Sequence, residues 1–181
     1  MTSAGTSETR LIILRGNSAS GKTTAAWEIR RRFGRGLAIV SQDVIRRDIL
    51  RVRDEPVNPA IGLIDLTARY ALDHGYHVIV EGIMSHASYG EMLANLVSDH
   101  RGISACFYYD IPFDETIRRH TTKPTADEYG AELMAQWYRE RDTIPALHEH
   151  IFDPSISLDA AVRAMMTAVE LADNSETGHT S

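Results

Sequence analysis

The sequence predicts an α/β fold, a parallel five-stranded sheet flanked by helices in three layers. Short apolar, β-branched runs alternate with longer segments of helical period, and that alternation implies parallel strands buried on both faces. The chain has 181 residues and is 43% hydrophobic, enough for one good core but hardly for two. One domain over residues 10–171 is expected, with loose polar termini at 1–9 and 172–181.

Strands are expected at 10–15, 37–41, 76–81, 103–109 and 148–152, with helices in the intervals. The run Leu11 to Leu14 opens the sheet, and Thr24 onward reads as the first helix. Its inward positions are Ala26, Ile29 and Phe33, which leaves Arg30, Arg31 and Arg32 on a solvated face. Pro56 and Pro59 flank Asn58 and mark a loop before the next helix. In that helix Ile61, Ile64, Ala68 and Leu72 recur at helical spacing and stop before Gly75. "HVIVEG" is then a short strand between glycines, and Met92, Leu93, Leu96 and Val97 suit a helix ahead of the strand "ISACFYY".

Composition excludes several classes. No run of about 18 apolar residues could span a bilayer, and the N-terminus lacks the pattern of a secretory signal, so a cytoplasmic chain without a membrane partner is expected. The single cysteine, Cys106, lies in an apolar run and is expected to be a buried inert thiol, which rules out a disulfide framework. Net charge is −6, but residues 1–53 carry eleven Lys/Arg against four Asp/Glu, and residues 54–181 carry eight against twenty-one. That asymmetry favours anionic ligands near the N-terminal half.

The basic part holds the most specific motif. "GNSASGKT" has the spacing G-x-x-x-x-G-K-T after a strand and before a helix, which is a phosphate-binding loop on a P-loop NTPase fold. Small residues let successive backbone N–H groups turn toward a phosphate chain. Nucleotide contacts are expected from Gly16, Asn17, Ser18, Ala19, Ser20, Gly21, Lys22, Thr23 and Thr24. Lys22 is expected to reach the terminal phosphates of ATP, and the Thr23 hydroxyl to ligate the bridging Mg2+.

The motif shows nucleotide binding, not its use. A GTPase would need Asn-Lys-x-Asp, and Asn58, Asn95 and Asn174 are not followed by Lys. A motor ATPase would need further elements for which the chain has little room. A compact kinase needs only the loop, a metal, a base for the acceptor hydroxyl and a short cationic lid. The candidate base is Asp43 in "SQDVIRRD", just past the second strand at the edge where the loop opens, with Arg46 three residues on to grip an acceptor. The competing reading makes Asp43 a helix N-cap. Glu81, which ends an apolar strand, is a candidate for holding a metal-bound water or the acceptor hydroxyl, against a plain strand-end charge.

"GNSASGKTT", "SQDVIRRD", "VIVEG" and "IRRH" together resemble the small P-loop kinases that include the polynucleotide 5′-kinase domain, zeta-type toxins and chloramphenicol phosphotransferase. The resemblance covers roughly residues 10–125. It implies that Asp43, with Arg46, matches the family's base in D-x-x-R, and that Arg118 and Arg119, with Lys123 nearby, match its triphosphate-binding lid arginines. The bland alternative for that pair is two ion pairs four residues apart, Asp114–Arg118 and Glu115–Arg119.

Two other features carry weaker signals. His148 and His150 flank Glu149 but diverge at a spacing of two, so no metal site is expected there. Trp137 and Tyr138 could stack on a substrate ring, although helix packing is the commoner role. The expected activity is transfer of the γ-phosphoryl group of ATP, with Mg2+, to a hydroxyl of a small molecule such as a nucleoside, sugar or antibiotic. The alternatives are a polynucleotide 5′-kinase, disfavoured by the acidic second half, a zeta-toxin-like nucleotide-sugar kinase, and a non-enzymatic nucleotide switch.

Overall fold

The structure is a computed structural model that describes residues 3–121 and 130–175. Five strands form one wholly parallel sheet: β1 (Arg10–Gly16), β2 (Leu37–Ser41), β3 (His77–Gly82), β4 (Ile103–Tyr109) and β5 (His150–Phe152), in the order β2-β3-β1-β4-β5. The described helices are α1 (Lys22–Phe33), α2 (Pro59–Asp73), α3 (His86–Asp99), α4 (Phe113–His120), α5 (Ala131–Trp137) and α6 (Leu158–Ala168), with a π-helical turn at Val44–Ile49.

Residues on β1 alternate between two cores. Leu11 and Ile13 pack with Ile64, Ala68 and Leu72 of α2 and with Leu93 and Leu96 of α3. Ile12 and Leu14 pack with Ala25, Ala26 and Ile29 of α1 and with Val162 and Met165 of α6. Each strand residue therefore serves one helical layer, which is why the strands read as continuous apolar runs. On α1 Arg30 and Arg31 take the expected outward face, with Arg31 bound to Glu28 at 2.8 Å, whereas Arg32 departs from it: its side chain is only 12% exposed, held by Glu28 at 2.8 Å and by Asp159 of α6 at 2.9 Å.

Among the described residues, both terminal segments make bonds to the domain. Ala4 is buried, its N–H donates to Asp99 O at 2.9 Å, and its carbonyl accepts from Arg101 N at 3.0 Å. Gly5 N donates to Asp73 Oδ1 at 2.7 Å, and Thr9 Oγ1 meets His100 Nε2 at 3.0 Å. At the other end Asn174 caps α1, donating from N to Arg32 O at 3.0 Å and from Nδ2 to Phe33 O at 2.8 Å. Short polar segments look loose in sequence, but free backbone groups beside a helix end are themselves a docking site.

The chain leaves β1 for β2 and returns to β3 on one side of β1, then continues to β4 on the other. The direction of winding reverses at β1, so a crevice opens at its carboxyl end, where ligands bind in sheets of this kind. The segment that follows β1 is "GNSASGKT".

Candidate phosphate-transfer site

Backbone conformation makes the loop. Gly16 has φ 142°, and a Cβ there would lie 2.7 Å from the carbonyl oxygen of Tyr109. Ala19 at φ 60° and Gly21 at φ 105° are also left-handed, and Gly21 caps α1. Alternation of hand turns successive N–H groups into one concavity at a helix N-terminus, where the dipole also favours an anion. Lys22 is only 7% exposed, and its ammonium donates to Asn17 O at 2.7 Å and to Ser20 Oγ at 3.2 Å. The next hydroxyl, Thr23 Oγ1, donates to Glu81 Oε2 at 3.1 Å. Thr24 is exposed on the first turn of α1.

Glu81, at the end of β3, is 3% exposed. It stands opposite Leu14 of β1 and Ser41 of β2, in the middle of the sheet's carboxyl edge. The reading of Glu81 as a strand-end surface charge is therefore overturned: the carboxylate is buried against the phosphate loop. Thr23 and Glu81 supply hard oxygens of the kind Mg2+ takes, and the described residues hold no cluster of three or more His, Cys, Asp or Glu to cage an ion alone. The donor set fits an ion that also binds phosphate.

Asp43 lies two residues past β2. Its backbone is already helical, at φ −65° and ψ −42°, and its side chain makes no capping bond. The N-cap reading thus fails, because the helical path starts before Asp43 rather than after it. The carboxylate instead meets Arg46 and Arg47, each at 3.3 Å, with 61% of the side chain exposed. Spacing alone predicted the meeting of Asp43 and Arg46; the π-turn beneath them, with Leu50 N bonded to Ile45 O at 3.0 Å, was not predicted. Gln42 ties this edge together: Oε1 accepts from Met84 N at 3.1 Å, and Nε2 donates to Asp54 Oδ2 at 3.2 Å. Asp54 also accepts from Tyr89 Oη at 2.9 Å.

The two lid candidates separate. Glu115 binds Arg118 through Nε at 2.7 Å and Nη2 at 2.8 Å, and also binds Arg119 Nε at 2.6 Å. Those two guanidinium groups, Arg118 foremost, drop the Glu115 carboxyl to about 2. The expected Asp114–Arg118 pair is replaced, because positions three and four apart are both neighbours on a helix and one carboxylate serves both. Arg118 stays 73% exposed. Arg119 turns to the loop, donating from Nη1 to Ser20 O at 3.1 Å. Lys123 lies outside the described residues.

Sequence reasoning missed Arg15. It continues the parity of Leu11 and Ile13 into the core, is 0% exposed, and has every donor group directed to a partner. Nε donates to Met84 O at 2.8 Å, Nη1 to Glu149 Oε1 at 2.8 Å, and Nη2 to Asp142 O at 2.8 Å and Oδ2 at 3.1 Å. A charge at an inward position of an apolar strand was the available signal, since buried arginines need acidic partners. Glu149 is committed to this network and accepts from Ile144 N at 2.7 Å. Cys106 is buried, as expected, and burial pushes its thiol up to about 12, with Glu149 adding to the shift. Trp137 and Tyr138 line a small cleft with Asn17, Ser18, Thr116 and Met134, close to the loop.

The AAA domain family matches residues 11–144 of the chain. No curated protein matches it. The fold is similar to a candidate kinase from Chloroflexus aurantiacus, at 22% identity and TM-score 0.66, over 92% of this chain and 98% of that one. It is similar to the Mycobacterium tuberculosis APS kinase CysC in complex with AMPPNP and APS, at 16% identity and TM-score 0.66, over 93% and 99%. A gluconokinase from Sinorhizobium meliloti matches at 17% identity and TM-score 0.58, over 99% and 100%. At such identities the likeness is one of fold, and it agrees with the resemblance carried by the four motifs. None of the described helices is long and apolar enough to cross a membrane. With its phosphate loop at the reversal point of a parallel sheet, and a family match across three quarters of its length, the chain belongs to the AAA domain family and has the fold of the P-loop kinases.

Proposed function

We propose that the protein is an ATP- and Mg2+-dependent kinase that phosphorylates a hydroxyl of a small molecule. The observation that carries this reading is the convergence, at one edge of the sheet, of a buried Lys22 in a left-handed loop, a Thr23–Glu81 oxygen pair and the exposed carboxylate of Asp43. Bound Mg2+, held by Thr23 and by Glu81 through water, would neutralise phosphate charge.

The chain's own residues supply the rest. Backbone N–H groups of residues 16–23 hold the phosphates, and Lys22 and Arg119 balance charge on the transferring group. Arg46 orients the acceptor, and Asp43 takes the proton of its hydroxyl as that oxygen bonds to the γ-phosphorus. The bond from phosphorus to the β,γ-bridging oxygen breaks, and ADP leaves with the electron pair. Arg118, tied to Glu115 and exposed, has a lesser share than the sequence assigned it. The fold likeness to sugar and nucleotide-type kinases supports the reaction class and leaves the acceptor to experiment.

The test is an acceptor screen that follows ADP release with nucleosides, sugars, antibiotics and short 5′-hydroxyl oligonucleotides. Stimulation by a free small molecule is expected. ATP consumption that no acceptor raises would overturn the kinase reading in favour of a switch. Strong, salt-sensitive activity on oligonucleotides would move the assignment to a polynucleotide kinase.

A further inference from the structure

Asn17 stands second in the phosphate loop, where a small residue would suffice to keep the concavity clear. Instead its side chain is committed elsewhere: Nδ2 donates to Arg139 O at 2.7 Å, and Oδ1 accepts from Arg139 N at 2.9 Å. One amide thus satisfies the donor and the acceptor of a single residue, the exchange that a neighbouring strand would otherwise provide. Asn17 is 3% exposed, so the clamp is shielded from water. Its own carbonyl oxygen accepts from the Lys22 ammonium at 2.7 Å. A single loop residue therefore holds one cation directly and the backbone of a second.

The backbone around Arg139 is fixed on both sides. Tyr138 donates from N to Met134 O at 2.9 Å, and its ring packs edge-on to Phe113 at 5.2 Å. Asp142 N donates to Tyr108 Oη at 3.0 Å, and its carboxylate accepts from Arg15 at 3.1 Å and from His86 N at 2.8 Å. Between these anchors the Arg139 side chain is exposed. Of the two arginines that the family resemblance assigned to the triphosphate, only Arg119 reaches the loop, while Arg118 engages Glu115 through its Nε and Nη2 edge.

We infer that Asn17 is a positioning residue: it fixes Arg139 beside the phosphate loop, so that the Arg139 guanidinium contacts the triphosphate of bound ATP. This rests on the kinase reading. It adds to that reading a cation that sequence motifs did not indicate and a reason for asparagine at the second loop position.

A double-mutant cycle tests it, using Asn17→Ala, Arg139→Ala and the two combined. The readouts are affinity for a fluorescent ATP analogue, which needs no acceptor, and thermal melting. Arg139→Ala should weaken analogue binding by about 10- to 100-fold, the range of a hydrogen bond to a charged group. The side chain is exposed, so melting should be unchanged. Asn17→Ala should weaken binding by several-fold, and the double variant should match Arg139→Ala within about twofold, because the clamp acts through the guanidinium it places. Arg139→Lys should recover part of the loss. Wild-type affinity in Arg139→Ala would overturn the inference, and so would losses that multiply in the double variant. A wild-type protein that binds no analogue would overturn the kinase reading itself, and this inference with it.

Discussion

The phosphate loop and the proposed acceptor edge lie side by side at the carboxyl end of the sheet, yet they are built in opposite ways. In the loop, Asn17, Lys22 and Glu81 are buried, and each polar group named above has a partner within 3.2 Å. At the acceptor edge, Asp43, Arg46 and Arg47 meet at 3.3 Å, and the Asp43 carboxylate is mostly in solvent. A triphosphate presents much the same shape to every such kinase and rewards a pre-formed, low-dielectric cradle. An acceptor must enter, be oriented and leave, which suits groups that exchange water for substrate at little cost.

If the contrast is functional, changes in the two regions should fail differently. The largest effect is expected from Lys22→Ala. Turnover should fall by about 10³ to 10⁵, the range supplied by a cation at the transferring phosphate, with analogue affinity weakened too. Near-normal turnover would show that the buried ammonium has no part in transfer.

Asp43→Asn should lower turnover by about 10² to 10⁴ while leaving ATP-analogue affinity nearly intact, a kcat effect confined to the acceptor side. Since Asp43 caps nothing and its ion pairs are exposed, stability should stay within about 0.5 kcal/mol in denaturant titration. Loss of nucleotide affinity in this variant would erase the distinction between the regions.

Arg15 lies beneath both. Arg15→Met should cost about 3–5 kcal/mol of stability by urea unfolding, because it strands the buried Glu149 carboxylate. Adding Glu149→Gln should recover part of that loss. An additive, further loss in the double variant would mean that the pair is not the coupled unit the geometry describes.

The smallest effect belongs to α4. Arg118→Ala should change kcat/KM by less than about threefold, whereas Arg119→Ala, which removes the bond to Ser20 O, should lower it about tenfold or more. Equal losses at the two positions would return Arg118 to the role that the family resemblance implied.

Much of this molecule was legible from residues near one another in the chain. Strand runs, the loop spacing and the Asp43–Arg46 meeting all depend on neighbours within a few residues, where the helix and strand repeats dictate geometry. Even there, local spacing could not choose between Arg118 and Arg119, since positions three and four apart are equally near Glu115; the packing of α4 against Ser20 decided it. The remaining decisions join distant parts of the chain. Thr23 meets Glu81 across 58 residues, Asn17 meets Arg139 across 122, and Arg15 meets Glu149 across 134. No periodicity records such pairs. They exist because a parallel sheet brings the ends of β1, β3 and β4 to one edge, where an otherwise prohibitive buried arginine finds its carboxylates and a loop asparagine finds a backbone to hold.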